Sequence, residues 1–139
     1  MYRIQSRCPK AVYSHGTALF LHDLTDRTPD FYTITVPNNY NASSLRVREN
    51  VQVFYTNSDF LELGTLYATT PQGRKIRTYN LERTLCDISR SRNRMDIGML
   101  TDAWRRYVRR PDKDLVRLME YARLFRIEKI VRTYLEVLL

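Results

Sequence analysis

From Asn80 onward the hydrophobic pattern of this chain is helical and does not change back. Between a first helical stripe at 14–24 and Asn80, apolar and polar residues alternate in short runs, the two-residue period of a half-buried strand; beyond Asn80, apolar residues recur every three or four positions, the period of an amphipathic helix. A parallel sheet needs helices interleaved between its strands, because each parallel return requires a crossover. Strands followed by helices therefore predict α+β architecture: an N-terminal helix, a small mainly antiparallel sheet, then a bundle of about four C-terminal helices.

The individual segments fill in that outline. A first helix is expected from about Ser14, its N-cap, to Leu24, with Ala18, Leu19, Leu21 and His22 on one stripe. Residues 31–36 alternate Thr with aromatic and β-branched residues, as a strand does, before Pro37 and a polar run to Ser44. A second extended segment, roughly Arg46 to Thr56, puts Val51, Val53 and Tyr55 on one face and Gln52, Phe54 and Thr56 on the other, so it is able to pair with the first. Thr65 to Thr70 and Lys75 to Tyr79 flank Pro71-Gln72-Gly73, a hairpin signal in which Pro presets one turn dihedral and Gly supplies the left-handed position.

Four helices should follow. Asn80 caps one with Leu81, Leu85 and Ile88 on its apolar face; Asp96 caps the next, with Ile97, Leu100, Trp104 and Val108, stopped by Pro111. Asp112 opens a third with Leu115, Leu118, Met119, Ala122 and Phe125, and the last buries Ile127, Ile130, Val131, Tyr134, Leu135 and Leu138. Short connections make such helices pack antiparallel to their neighbours. With no repeat or low-complexity linker in 139 residues, one domain spanning 1–139 is expected.

Composition narrows the function classes. A hydrophobic fraction of 43% is that of a folding chain. The longest wholly apolar run, Ala18 to Leu21, is far short of the roughly 20 residues of a membrane span, so no membrane partner is expected. Arg3, Arg7 and Lys10 are not followed by the apolar stretch of a secretory signal. Cys8 and Cys86, far apart and outside any Cys-x-x-Cys pair, read as packed free thiols in a reducing compartment, so a cytoplasmic location is expected. A net charge of +8 suits a polyanionic or acidic partner.

No catalytic constellation stands out. His15 and His22 are seven apart and lack further ligands at matching spacing, so no metal site is expected. The thiol of Cys86 has no neighbouring base in sequence. Gly16, Gly64, Gly73 and Gly98 stand isolated, whereas a phosphate-cradling loop needs clustered glycines, so no nucleotide cofactor is expected. The scattered carboxylates Asp23, Asp26, Asp30, Asp59 and Glu62 keep open an alternative, a metal-dependent nucleic-acid-processing enzyme domain.

The strongest surface feature is basic. Helical spacing puts Arg105 with Arg109 and Arg106 with Arg110 on adjacent rows, continued by Lys113 and Arg117. Two readings remain open: a stripe that engages DNA phosphates, or a solvated face paired with Asp102, Asp112 and Asp114.

Six segments, taken in order, resemble a known family: Tyr13-Ser14-His15-Gly16-Thr17-Ala18-Leu19, Leu21-His22-Asp23-Leu24-Thr25-Asp26-Arg27, Thr35-Val36-Pro37, Leu61-Glu62-Leu63-Gly64, Tyr79-Asn80-Leu81-Glu82-Arg83-Thr84-Leu85-Cys86-Asp87 and Tyr134-Leu135-Glu136-Val137-Leu138-Leu139. Their order and spacing resemble the C-terminal domain of AbiEi antitoxins of type IV toxin–antitoxin systems, linked to abortive phage infection. The resemblance implies a bacterial, non-enzymatic antitoxin and transcriptional regulator that represses its own operon and counteracts a nucleotidyltransferase toxin of the AbiEii type. Typical members carry a winged helix-turn-helix ahead of this domain. Its absence here leads one to expect operator DNA contact through the basic face rather than through a recognition helix. The resemblance also implies that Leu81, Leu85 and Cys86 are buried. It further makes His15, Glu82, Arg83 and Asp87 a candidate polar cluster at the sheet-to-helix junction, with no catalytic role.

Overall fold

In the computed structural model, which describes residues 1–43, 45 and 50–139, the chain is a five-stranded sheet covered on one side by a short helix and on the other by a helical half. The elements in order are α1 (Tyr2–Arg7), β1 (Val12–Tyr13), α2 (His15–Leu21), β2 (Tyr32–Pro37), β3 (Val51–Thr56), α3 (Ser58–Leu61), β4 (Thr65–Thr69), β5 (Lys75–Tyr79), α4 (Leu81–Arg90), α5 (Ile97–Val108), α6 (Leu115–Leu124) and α7 (Glu128–Leu138). The α+β order expected from the period change at Asn80 is the observed one, with α4 to α7 as the four C-terminal helices. No helix among the described residues is long and apolar enough to cross a membrane.

The sheet differs from the expectation in its pairing. Its strand order is β3-β2-β1-β5-β4, with β1–β2 and β4–β5 antiparallel but β2–β3 and β1–β5 parallel, so it is mixed rather than mainly antiparallel. The physical reason is in the connections. Residues 38–50 are long enough for a crossover between β2 and β3, and the two-residue strand β1, which period-two patterning cannot register, inserts between β2 and β5. The hairpin formed as expected: Gly73 adopts φ +81° and donates to the Thr70 carbonyl, and Thr70 donates to Arg74. The first part of the second extended segment, 46–49, lies outside the described residues.

Several boundaries moved. The helix at Ser14 ends at Leu21, and a further helix, α1, precedes it where no element is expected from the residues. Asp114, not Asp112, caps α6, its carboxylate accepting from the Arg117 amide. Asn80 and Asp96 cap α4 and α5 as expected, accepting from Arg83 N and Met99 N. In α7 only Val131 is fully buried, while Ile130, Tyr134, Leu135 and Leu138 pack half-buried against the helical core.

Two apolar cores lie on opposite sides of the sheet. Ile4 and Cys8 of α1 pack with Tyr13, Ile34, Val36, Val53 and Ile76; Leu85, Ile88, Leu100, Trp104, Tyr107 and Leu118 fill the helical half. Between them runs a polar seam. Thr33 and Thr35 point from β2 toward α2, where Thr17 and Thr33 exchange amide-to-hydroxyl hydrogen bonds of 3.0 and 2.8 Å and Thr35 donates to Ser14 Oγ at 2.7 Å. Mutual satisfaction is what permits these hydroxyls to be buried. Helix α4 stands at the centre, with every residue from Leu81 to Ser89 buried and Arg90 alone at the surface.

Candidate functional site

Arg83 organises the junction of sheet and helices. Its side chain is 0% exposed, and it is held on three sides. Nε donates to both oxygens of Asp87 at 3.1 Å, one turn on; Nη1 donates to the carbonyls of Phe60 and Leu63 at 2.6 and 2.8 Å; and the guanidinium lies 3.9 Å from the Tyr79 ring centroid and 4.7 Å from that of Phe125. Nη2 is buried without a hydrogen-bond partner, a state that costs about 1–3 kcal/mol, or more for a charged group. Gly64 makes the packing feasible. At φ +77° its missing Cβ would fall 3.0 Å from Arg83 Cβ and 3.2 Å from both Asn80 Oδ1 and the Tyr121 hydroxyl.

Beside Arg83 lies a cavity of about 160 Å³, lined by His15, Thr35, Phe54, Tyr55, Thr56, Arg83, Asp87, Arg90 and Ser91. Its chemistry is polar and cationic. Arg90 reaches Asp87 at 3.6 Å and covers the Phe125 ring at 4.3 Å. Thr56 contributes a second buried polar atom without a partner, Oγ1. His15 closes one wall, its Nδ1 2.8 Å from Ser14 Oγ and its Nε2 3.1 Å from Ser91 Oγ, with the ring stacked on Phe54 at 3.6 Å. Arg94 covers the same Phe54 ring at 4.1 Å, and steric exclusion by the imidazole puts it on the opposite face. His15 holds a left-handed backbone, φ 48°, uncommon for a residue with a side chain.

These surroundings set protonation. Burial, reinforced by Arg83, Arg94 and Arg90, depresses the His15 pKa to about 3, so the ring is neutral at physiological pH. Burial pushes the Asp87 carboxyl up against the opposing pull of Arg83 and Arg90. Burial also raises the Cys86 thiol, to about 12, which makes it unreactive packing.

The four residues expected to cluster divide into two groups. His15, Arg83 and Asp87 share the cavity, whereas Glu82 points to another side of α4, where it accepts from the Tyr107 hydroxyl at 2.8 Å and the Asp114 amide at 3.1 Å and lies 3.7 Å from Arg117. Glu82 thereby ties α4 to α5 and to the start of α6. His22, the other histidine, donates from Nε2 to the Tyr79 carbonyl at 2.6 Å, away from the cavity. Phe54, Thr56, Arg90, Arg94 and Ser91 were not singled out from sequence. For Arg90 and Ser91 a signal existed, since they follow Asp87 by three and four positions on one helical face; Thr56 and Phe54 come from a distant strand and carry none.

The basic stripe also divides. Arg106 pairs with Asp26 at 2.7 Å and Asp102 at 2.9 Å; Arg110 makes a two-pronged bond to Asp112 and donates to the His22 carbonyl. Lys113 donates to the Arg110 carbonyl, and Arg117 sits 3.8 Å from Asp114. Arg105 and Arg109 are exposed, and among the described residues their side chains engage no hydrogen bond or ion pair. The row through Arg106 and Arg110 is thus spent on fastening α5 to the turn after α2, while the row through Arg105 and Arg109 faces solvent. The scattered carboxylates do not converge: among the described residues no three His, Cys, Asp or Glu side chains come together as a metal-binding group.

No family model matches the chain, and no curated protein matches it.

Proposed function

We propose that this chain is a non-enzymatic antitoxin and regulator domain of the AbiEi kind, acting in the bacterial cytoplasm. It counteracts a nucleotidyltransferase toxin of a type IV system and contributes to autorepression by contacting operator DNA through its basic face. One observation carries the reading. Four of the six segments that carry the resemblance meet around one buried polar junction, although they are scattered from Tyr13 to Asp87.

Arg83 and Asp87 belong to one segment; the Leu63 carbonyl and Gly64, which seat Arg83, belong to another. Ser14 and His15 come from a third and Thr35 from a fourth, joined through Ser14 Oγ. A fifth attaches at the side, through the bond from His22 to Tyr79. That these segments converge on one junction of sheet and helices supports reading them as parts of one scaffold. The network answers all of the buried Arg83 guanidinium but Nη2 and fixes the junction of sheet and bundle, which suits a rigid platform for macromolecular contact.

Co-expression of residues 1–139 with the nucleotidyltransferase encoded by the adjacent reading frame tests this. Restored growth is the expected result. Continued arrest at matched protein levels overturns autonomous antitoxicity, and an adjacent frame that encodes no nucleotidyltransferase removes the system itself.

A further inference from the structure

We infer that the cavity beside Arg83 is an anion site that takes a phosphoryl group. Three features point there together. Two buried polar atoms on its lining residues, Arg83 Nη2 and Thr56 Oγ1, have no hydrogen-bond partner among the described residues, where the one other such side-chain atom is Arg77 Nε, away from the cavity. Among lining side chains, the Arg90 guanidinium and Ser91 Oγ, the latter also bonded to His15 Nε2, add donors from the C-terminal end of α4. Charge is unbalanced: the lining sets Arg83 and Arg90 against one carboxylate, Asp87, with His15 neutral and Arg94 behind the Phe54 ring.

Donors arriving from β3, α4 and the turn after it do not share one plane, which suits a tetrahedral oxyanion better than a planar carboxylate. Asp87 does not oppose this by facing the ligand unshielded. Both of its oxygens accept from Arg83 Nε, and Arg90 lies beside it, so its charge is largely answered within the pair. Size agrees as well. About 160 Å³ accommodates a phosphoryl group and leaves a nucleoside outside. The site stands independently of the antitoxin reading, because it rests on the cavity's own atoms.

NMR titration of the full chain with inorganic phosphate, at constant ionic strength and neutral pH, reads the site directly. Saturable shifts are expected at the Arg83 and Arg90 Nε–H groups, the Thr56 and Ser91 amides and the His15 ring, with only weak, non-saturating change at Arg105 and Arg109. Thr56→Val and Arg90→Gln should each weaken binding roughly tenfold, as loss of one hydrogen bond to a charged partner does. Amide spectra confirm that both variants are folded. A second arm uses a nucleoside 5′-monophosphate: tighter binding than phosphate identifies a nucleotide as the source, and equal binding identifies the free anion. Absence of saturation in the wild-type chain, equal shifts with chloride, or unchanged affinity in both variants overturns the site and leaves a water-filled cavity.

Discussion

Arg83 and Arg105 carry the same guanidinium, and the fold puts them in opposite circumstances. Arg83 is sealed between the sheet and the bundle, bonded to a carboxylate and two carbonyls and packed on two aromatic rings. Arg105 stands on the outer row of α5 with Arg109, exposed and without partners among the described residues. What separates them is the environment, since both lie on helices and both have acids within a turn or two. The contrast shows why basic residues in this chain divide into two jobs. The buried arginine has all of its donor nitrogens but Nη2 engaged by the fold and matters first for stability; the exposed one has its whole guanidinium left over and matters for whatever anion arrives at the surface.

The largest effect tests the buried side of the contrast. Arg83→Met keeps much of the volume but leaves the Asp87 carboxylate in a buried site and strips donors from the Phe60 and Leu63 carbonyls. Breaking one partner of a buried pair typically costs about 3–5 kcal/mol. Urea denaturation should show that loss as a lower midpoint at similar slope. A change within about 0.5 kcal/mol, the range of ordinary surface substitutions, would mean that Arg83 is no more structural than Arg105.

Much of the fold was legible because it rests on local periodicity. The change at Asn80, the caps at Asn80 and Asp96, and the Pro71-Gln72-Gly73 turn are short-range signals, and each element they mark is present. What could not be read is set by long-range pairing. Strand β1 has two residues and no period to detect, yet it decides that β2 and β5 are not neighbours and that the sheet is mixed. The cavity has the same character. Arg83 and Asp87 share a helix and were found together, but Thr56 and Phe54 reach them only through the parallel pairing of β3 with β2. Glu82 sits one position from Arg83 and was grouped with it, although one helical step turns it through roughly 100° toward Tyr107.

A middle-sized effect comes from pH. The native state holds His15 neutral, with a pKa near 3 against an ordinary value of 6.5, so it excludes a proton that the unfolded chain accepts. Stability from this source is complete above about pH 6.5 and is lost as pH falls toward 3. At pH 5 the loss should be about 2 kcal/mol. His15→Asn removes the titration while tolerating the left-handed backbone, and His22 is unchanged in both proteins. Thermal or urea unfolding at pH 7.5 and pH 5 should therefore show the variant losing about 2 kcal/mol less than the wild type over that interval. Equal losses would mean that the ring is not sealed in with Arg83.

The smallest effect on stability belongs to the exposed row, and it separates two rows of one helix. Replacing both Arg105 and Arg109 by Gln should change unfolding free energy by no more than about 0.5 kcal/mol, because these side chains make no bonds for the fold to lose. Its mark should appear in DNA binding. Each phosphate contact releases counterions and contributes about 0.9 to the slope of log affinity against log salt, so losing two contacts should flatten that slope by about 2 for every duplex sequence. Arg106 and Arg110 already answer Asp26, Asp102 and Asp112. Their replacement should therefore act mainly by loosening α5 from the turn after α2, lowering stability more than it flattens the slope. If instead the slope falls equally for the two pairs, the ion pairs open on DNA and the division between rows disappears; if neither pair changes it, the stripe is a solvated face and the charge of this domain is aimed elsewhere.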